Sequence, residues 1–136
     1  MASVLFICVH NAGKSQTAAA LMRHFAGDTV QVYSAGTGPN PALAADAVAA
    51  LGEIDVSVGN EFPKPIDPEI IAKVDRVIVL GTEATVSPVE GMRGFIEVWP
   101  ISEPKELGIL GEARARLIRD EIKAKVLELA AELVAK

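Results

Sequence analysis

The residues with the clearest chemical potential lie in one segment, CVHNAGKS at positions 8–15, which follows an apolar run and precedes a helical pattern. A loop that enters a helix directs backbone N–H groups at one point, where the helix dipole adds partial positive charge. Such a loop binds phosphate-like anions and favours the thiolate form of a cysteine. We therefore predict that Cys8 is a nucleophile rather than a small buried strand residue. The oxyanion that it attacks would be held by Val9, His10, Asn11, Ala12, Gly13 and Lys14.

The side chains around the predicted nucleophile suit supporting roles. Gly13 permits a tight turn, Asn11 can tie the loop together through its amide, and Ser15 can cap the helix and donate a hydrogen bond to the sulfur. Lys14 supplies a cation, although a lysine at a helix N-terminus opposes the dipole. That unfavourable position beside a nucleophile favours a catalytic role for Lys14. The side chain of His10 is expected to be solvated.

The elements that position this loop are predicted from their apolar patterns. Short apolar or alternating runs predict strands at residues 4–8, 29–34, 77–80 and 95–99, and residues 35–41 read as a turn. Helices are predicted after Lys14, over residues 42–51, and over residues 67–73 with Asp67 as N-cap. Two apolar helix faces are predicted, one with Ala18, Leu21, Met22 and Phe25 and one on a long last helix with Leu117, Ile118, Ile122, Val126, Leu129 and Leu133.

Alternation of strands and helices is typical of an α/β domain with a parallel sheet. We predict one domain over residues 1–136, with three layers in which a short parallel sheet is flanked by helices. Ligands of such sheets bind beyond the carboxyl ends of the strands. Cys8, Gly81 and the loop after Trp99 all fall at such ends, so they are expected to converge.

Composition restricts the class of partner and the compartment. The net charge is -5, with both signs spread along the chain, which argues against a nucleic-acid partner. Cys8 is the only cysteine, so an internal disulfide and a four-thiolate metal site are excluded. No metal or bound cofactor is expected. The absence of a signal-like start or a long apolar run predicts a soluble, cytoplasmic protein without a membrane partner, and a homodimer is left open.

The stretch VLFICVHNAGKSQ, positions 4–16, resembles the signature of the low-molecular-weight protein tyrosine phosphatases and of the arsenate reductases that share their fold. That signature is a cysteine, five residues, an arginine and a serine or threonine. The SAGT at positions 34–37 and the pair Glu103-Pro104 match as well. The resemblance implies a low-molecular-weight phosphatase-like fold with Cys8 as nucleophile and Glu103 as general acid. It departs at Lys14, where the family has arginine, and at Glu103, where the family has aspartate.

The resemblance implies arsenate reduction as the first hypothesis, with arsenate or another tetrahedral oxyanion as substrate. Because Cys8 is the only thiol, the chain is most similar to members that use the external thiol mycothiol as co-substrate and a mycoredoxin as partner. A phosphotyrosine phosphatase with a phosphocysteine intermediate is the alternative, weakened by an acid loop without aromatic residues. A non-catalytic oxyanion-binding protein is a third hypothesis.

Two surface interpretations accompany these hypotheses. Glu103 could be a solvated acid in a turn before Pro104, an interpretation that we weigh evenly with the catalytic one. The charged run on the last helix is predicted to be its solvated face, comprising Arg114, Arg116, Arg119, Asp120 and Glu121. His24 is predicted to lie on the surface.

Overall fold

Four short parallel strands form the sheet at the centre of the molecule, in the computed structural model that describes residues 1–134. They are β1 (Ala2–Cys8), β2 (Val30–Gly36), β3 (Arg76–Leu80) and β4 (Phe95–Trp99). Their order across the sheet is β2-β1-β3-β4, and each neighbouring pair is parallel. β1 is an inner strand and is buried from its second residue onward, as expected for an apolar run covered on both faces.

Helices cover both faces of the sheet. They are α1 (Lys14–Ala26), α2 (Ala45–Gly52), α3 (Pro68–Lys73) and α4 (Gly111–Val134), with short 3-10 turns at Gly27–Thr29 and Pro104–Leu107. Val4 and Phe6 of β1 face the core shared with α1, α2 and α4, whereas Leu5 and Ile7 face the core shared with α3. This alternation produces the three layers and confirms the predicted α/β class. Within residues 1–134, every helix is too short or too polar to cross a lipid bilayer.

Several element boundaries agree with the sequence, and others are corrected. Asp67 caps α3, since its carboxylate accepts from the backbone N–H of Glu69 at 2.9 Å. The predicted turn over residues 35–41 is wrong at its start, because Gly36 still pairs with Cys8 at the end of β2. The predicted helix over residues 42–51 begins later, at Ala45, because Ala44 has an extended backbone with a ψ of 118°. The N–H of Ala44 donates to the loop carbonyl of Ala12.

The two predicted apolar helix faces are each wrong at one residue. Leu117 is 48% exposed and Phe25 is 42% exposed, while the other residues predicted on these faces are buried. Leu117 lies about 100° around the helix from Ile118. On that side of α4 it is exposed, whereas Ile118 and Arg119 on its other side are buried. Phe25 lies outside the core with the ammonium of Lys123 above its ring. His24 is exposed, as predicted.

The solvated face predicted for α4 is wrong at Arg119 and only partly right at Arg114 and Glu121, which are half-buried. Arg119 is buried, and its guanidinium donates to the carbonyl of Ala50 at 2.7 Å and to Glu53 at 3.1 Å. Arg114 is half-buried and pairs with Glu103. A charged side chain can leave water when such partners replace its hydration, and a helical pattern alone does not reveal those partners. α4 therefore ties α2 and the loop after β4 together through its charged side.

Candidate active site

Cys8 ends β1, and the loop of residues 9–13 follows it and ends at Gly13, the N-cap of α1. The thiol is largely buried, and its Sγ lies 3.0 Å from Oγ of Ser15. Ser15 is the second residue of α1, so the prediction that it caps this helix is wrong. The contact between Ser15 and the sulfur that the sequence predicted is present.

The proton of the Ser15 hydroxyl is directed by Asn11. The backbone N–H of Lys64 donates to the side-chain amide of Asn11 at 3.0 Å. Because only the oxygen of an amide can accept, this contact fixes the orientation of the Asn11 amide, with Oδ1 toward Lys64. Nδ2 of Asn11 then donates to Oγ of Ser15 at 2.7 Å. Because Ser15 accepts from Asn11, its own proton is available to the sulfur of Cys8. A hydroxyl that donates to sulfur stabilises the thiolate.

Asn11 and Gly36 allow the loop to pack closely against the end of β2. Asn11 has a φ of 51°, in the left-handed region that asparagine tolerates better than most residues, and it is fully buried. A Cβ on Gly36 would lie 2.6 Å from the carbonyl oxygen of Val9 and 2.9 Å from Cβ of Asn11. The glycine of the SAGT segment is therefore required by this close approach.

The carbonyl groups of the loop are held by the segment that follows β2. The carbonyls of Cys8, Val9 and His10 accept from the N–H groups of Thr37, Gly38 and Asn40 at 2.8 to 3.1 Å. The two polar groups of a trans peptide point in opposite directions. The N–H groups of residues 9–11 are therefore directed away from the bracing segment, as binding an oxyanion requires. The exposed imidazole of His10 adds a contact with the carbonyl of Gly38 at 3.2 Å.

A cavity of about 610 Å³ opens beside the sulfur. It brings together most of the predicted site residues, namely Cys8, Val9, His10, Ala12, Gly13 and Lys14. Asn11 and Ser15 are fully buried behind it and reach the site through the sulfur hydrogen bond. The cavity is also lined by charged residues that sequence reasoning did not assign to the site, namely Asp46, Glu83, Arg114 and Arg119. Within residues 1–134, no three acidic, histidine or cysteine side chains are grouped so as to hold a metal ion.

Lys14 begins α1 with its ammonium at the cavity. Its Nζ lies 3.8 Å from Oε1 of Glu83, a residue in the loop after β3. Gly81 precedes Glu83 with a φ of +87°, a conformation that favours glycine. Lys14 therefore reaches the carboxyl ends of β1 and β3 at once, where the sequence placed the site.

Glu103 lies in the loop after β4 and forms an ion pair with Arg114. It is not among the described residues that line the cavity. Nε and Nη2 of Arg114 donate to its two carboxylate oxygens at 2.6 and 3.1 Å. The hydrogen bond from Arg114 holds the pKa of the Glu103 carboxyl below its usual value, and the charge of Lys14 contributes in the same direction. Glu103 is therefore ionised at neutral pH in this arrangement. Its role as general acid stays a prediction and requires separation from Arg114.

Replacement of Lys14 tests whether its charge serves the oxyanion. We expect Lys14→Ala to raise the KM for the oxyanion substrate by about ten- to 100-fold, because the variant loses one hydrogen bond to a charged group. We expect Lys14→Arg to keep or lower KM, because the guanidinium fork matches two oxygens. Steady-state kinetics measure both, with Lys125→Ala on α4 as a control outside the cavity. If Lys14→Ala changes neither KM nor the pH dependence of Cys8 alkylation, Lys14 lies outside the site.

Replacement of Glu103 separates acid catalysis from binding. We expect Glu103→Gln to lower the single-turnover rate by about ten- to 100-fold. This loss is smaller than most losses of a general acid, because the ion pair with Arg114 opposes protonation of Glu103 in the native chain. Binding of the oxyanion should change much less. Rapid-quench kinetics under saturating substrate measure the chemical step. An unchanged single-turnover rate would remove the acid role from Glu103.

Comparison with known families places this arrangement among phosphatase-like proteins. A family model described as low molecular weight phosphotyrosine protein phosphatase matches residues 3–136. An arsenate reductase of Bacillus subtilis (strain 168) is 31% identical over 134 residues, covering 93% of this chain and 94% of the relative. An arsenate reductase of Halalkalibacterium halodurans is 31% identical over 130 residues, covering 90% of this chain and 91% of the relative.

Among solved structures, the chain is similar to a thioredoxin-dependent arsenate reductase of Corynebacterium glutamicum. The two have a TM-score of 0.81 and 34% sequence identity. The match covers 98% of this chain and 62% of the Corynebacterium protein, so the latter has further sequence that this chain does not match. The sheet, the flanking helices and the loop after β1 therefore have counterparts in known proteins.

Proposed function

Because the chain belongs to the low-molecular-weight phosphotyrosine protein phosphatase family, we propose that it is an arsenate reductase whose nucleophile is the thiolate of Cys8. The observation that carries the proposal is the hydrogen-bonded series from Asn11 through Ser15 to the Cys8 sulfur, beside a cavity at the start of a helix. The relatives from Bacillus subtilis and Halalkalibacterium halodurans and the Corynebacterium structure are each named as an arsenate reductase, which supports arsenate as the substrate.

The proposed first step is a displacement at arsenic. The Cys8 thiolate attacks the arsenic atom, a sulfur–arsenic bond forms, and one arsenic–oxygen bond breaks. The departing group is a hydroxyl, which takes one proton and leaves as water. Glu103, protonated after separation from Arg114, is the proposed donor of that proton, and arsenic stays pentavalent in the adduct. Lys14 and the N–H groups of residues 9–13 would stabilise the charged oxygens. Ser15 would stabilise the thiolate before attack and again when it is released.

The lining of the cavity favours a small inorganic oxyanion over phosphotyrosine. Among the described residues that line it, none is Phe, Tyr or Trp. An aromatic wall would stabilise a bound phosphotyrosine, because stacking on the ring adds to the binding energy that burial of the ring supplies. Leu80 and Ile118 are the largest aliphatic residues of the lining. Most of the other apolar residues that line it are alanines, and five lining residues are charged. The phosphatase activity therefore remains the second candidate.

The thiol that completes the cycle must come from outside the chain, because Cys8 is its only cysteine. We propose mycothiol in this role, with a mycoredoxin as the reducing partner. Mycothiol would attack the arsenic of the adduct and release Cys8. A thiolate of mycoredoxin would then attack the mycothiol sulfur, so that arsenic leaves with the electron pair as arsenite and a mixed disulfide forms. Such thiol chemistry suits a reducing, cytoplasmic location.

The proposed function is tested by assaying two substrates side by side. With the complete reducing system, we expect arsenate turnover with a kcat/KM well above that for hydrolysis of p-nitrophenyl phosphate. The reverse ranking would favour the phosphatase. A non-catalytic binding protein would turn over neither substrate. Because such a protein needs no activated thiolate, its Cys8 would react slowly with alkylating agents at neutral pH.

A further inference from the structure

The carboxylate of Glu83 lies beside the ammonium of Lys14, the cation of the proposed oxyanion site. Its Oε1 lies 3.8 Å from Nζ of Lys14, and both side chains line the cavity beside Cys8. The Lys14 side chain is 22% exposed, whereas that of Glu83 is 64% exposed. One partner of this ion pair is therefore held at the site, and the other can be solvated without loss of packing.

The backbone before Glu83 supports this placement. A Cβ on Gly81 would lie 2.5 Å from Oε2 of Glu83 and 3.5 Å from Nζ of Lys14. Gly81 is fixed by its own N–H, which donates to the carbonyl of Trp99 at 2.8 Å. The glycine therefore leaves room for the carboxylate to fold back over the end of β3 toward the ammonium.

The ion pair between Glu83 and Lys14 is expected to weaken oxyanion binding. Lys14 is a point charge, so a carboxylate beside it neutralises the attraction that an incoming oxyanion would experience. An oxyanion placed between the loop and Lys14 would also be repelled by Glu83. Glu103 is less able to compete, because both of its oxygens already bind Arg114.

We infer that Glu83 is an affinity-determining residue that competes internally with the oxyanion for Lys14. Substrate binding displaces the carboxylate into water, and the free energy of breaking the pair is subtracted from the binding of the oxyanion. The effect is modest because the pair is partly exposed and screened by salt. This inference rests on the proposed function, since it takes Lys14 as the cation that holds the oxyanion.

The test uses inorganic phosphate as the probe and the single cysteine as the reporter. Iodoacetamide modifies Cys8, and intact-protein mass spectrometry follows the modified fraction as phosphate protects the site. The phosphate concentration for half-protection reports affinity independently of the intrinsic reactivity of the thiol. We expect Glu83→Gln to lower this concentration by about two- to fivefold at low ionic strength, the range that an exposed ion pair supports. The difference should shrink as salt is added.

Two further variants show whether the effect passes through Lys14. Glu128→Gln removes the same charge from an exposed position on α4 outside the cavity and should leave half-protection unchanged. In a Lys14→Ala background, Glu83→Gln should have less than half of its effect in the otherwise native chain, because the competition no longer exists. An equal effect in both backgrounds, an equal effect of Glu128→Gln, or no effect of Glu83→Gln would each overturn the inference.

The outcomes also separate this inference from the proposed function. Tighter phosphate binding by Glu83→Gln without arsenate reduction by any variant would support the competition and contradict the reductase. Arsenate reduction by the native chain with unchanged half-protection in Glu83→Gln would support the reductase and contradict the competition. Failure of phosphate to protect Cys8 in either protein would contradict the competition.

Discussion

Replacement of Cys8 by serine is expected to lower arsenate reduction by about 10³-fold or more, because a serine hydroxyl is not ionised at neutral pH and makes a poor nucleophile here. The side chain lies at the end of β1 beside the cavity, where no second thiol of the chain can replace it. Steady-state production of arsenite by purified protein measures the effect. Residual activity above a few per cent of the native rate would contradict the covalent mechanism.

The same variant should keep the fold. Serine is nearly isosteric with cysteine, and its hydroxyl can keep a hydrogen bond with Oγ of Ser15. We therefore expect the free energy of unfolding to change by no more than about 1 kcal/mol, the contribution of one ordinary hydrogen bond. Thermal and urea denaturation of Cys8→Ser beside the native chain separate loss of chemistry from loss of structure.

A second large effect is expected from the choice of reductant. Reduction of arsenate to arsenite needs two electrons, which two thiols supply when they become a disulfide. Because Cys8 is the only cysteine, the internal disulfide that thioredoxin would reduce cannot form. Thioredoxin with its reductase alone should therefore give no steady-state turnover, and addition of mycothiol with mycoredoxin should restore it. NADPH consumption with each reducing system measures the difference.

The similar Corynebacterium protein is thioredoxin-dependent, which makes this result informative. Omission of mycothiol or mycoredoxin singly serves as the control, because each should stop the cycle at a different step. Turnover with thioredoxin alone at the rate of the complete system would contradict the external-thiol mechanism. A full cycle without any added small thiol would contradict it as well.

Local features of the fold could be predicted from short stretches of sequence. The apolar run that ends at Cys8 predicts an inner strand, and its burial on both faces follows from the absence of polar residues after Ser3. Asp67 before Pro68 predicts the start of α3, since this pair supplies the cap and the fixed backbone angle together. These predictions succeed because each depends on neighbours a few residues apart.

The connections within the site depend on residues that are far apart in the chain. Asn11 is fixed by the backbone of Lys64, and Lys14 meets Glu83, although no local pattern indicates either contact. The pair of Glu103 with Arg114 arises because α4 returns past the end of β4. Periodicity could predict that Arg114 lies on a helix but not what that face of the helix contacts.

The central claim, that Cys8 enables arsenate reduction by forming a covalent adduct with arsenic, is tested most directly by chromatographic separation of arsenite from arsenate. The native chain and Cys8→Ser are incubated with arsenate, mycothiol, mycoredoxin and its NADPH-dependent reducing system, beside a reaction without the enzyme. The account predicts repeated formation of arsenite by the native chain and a background level with Cys8→Ser. Equal arsenite in the two reactions, or no arsenite from a native chain that hydrolyses p-nitrophenyl phosphate, would contradict it.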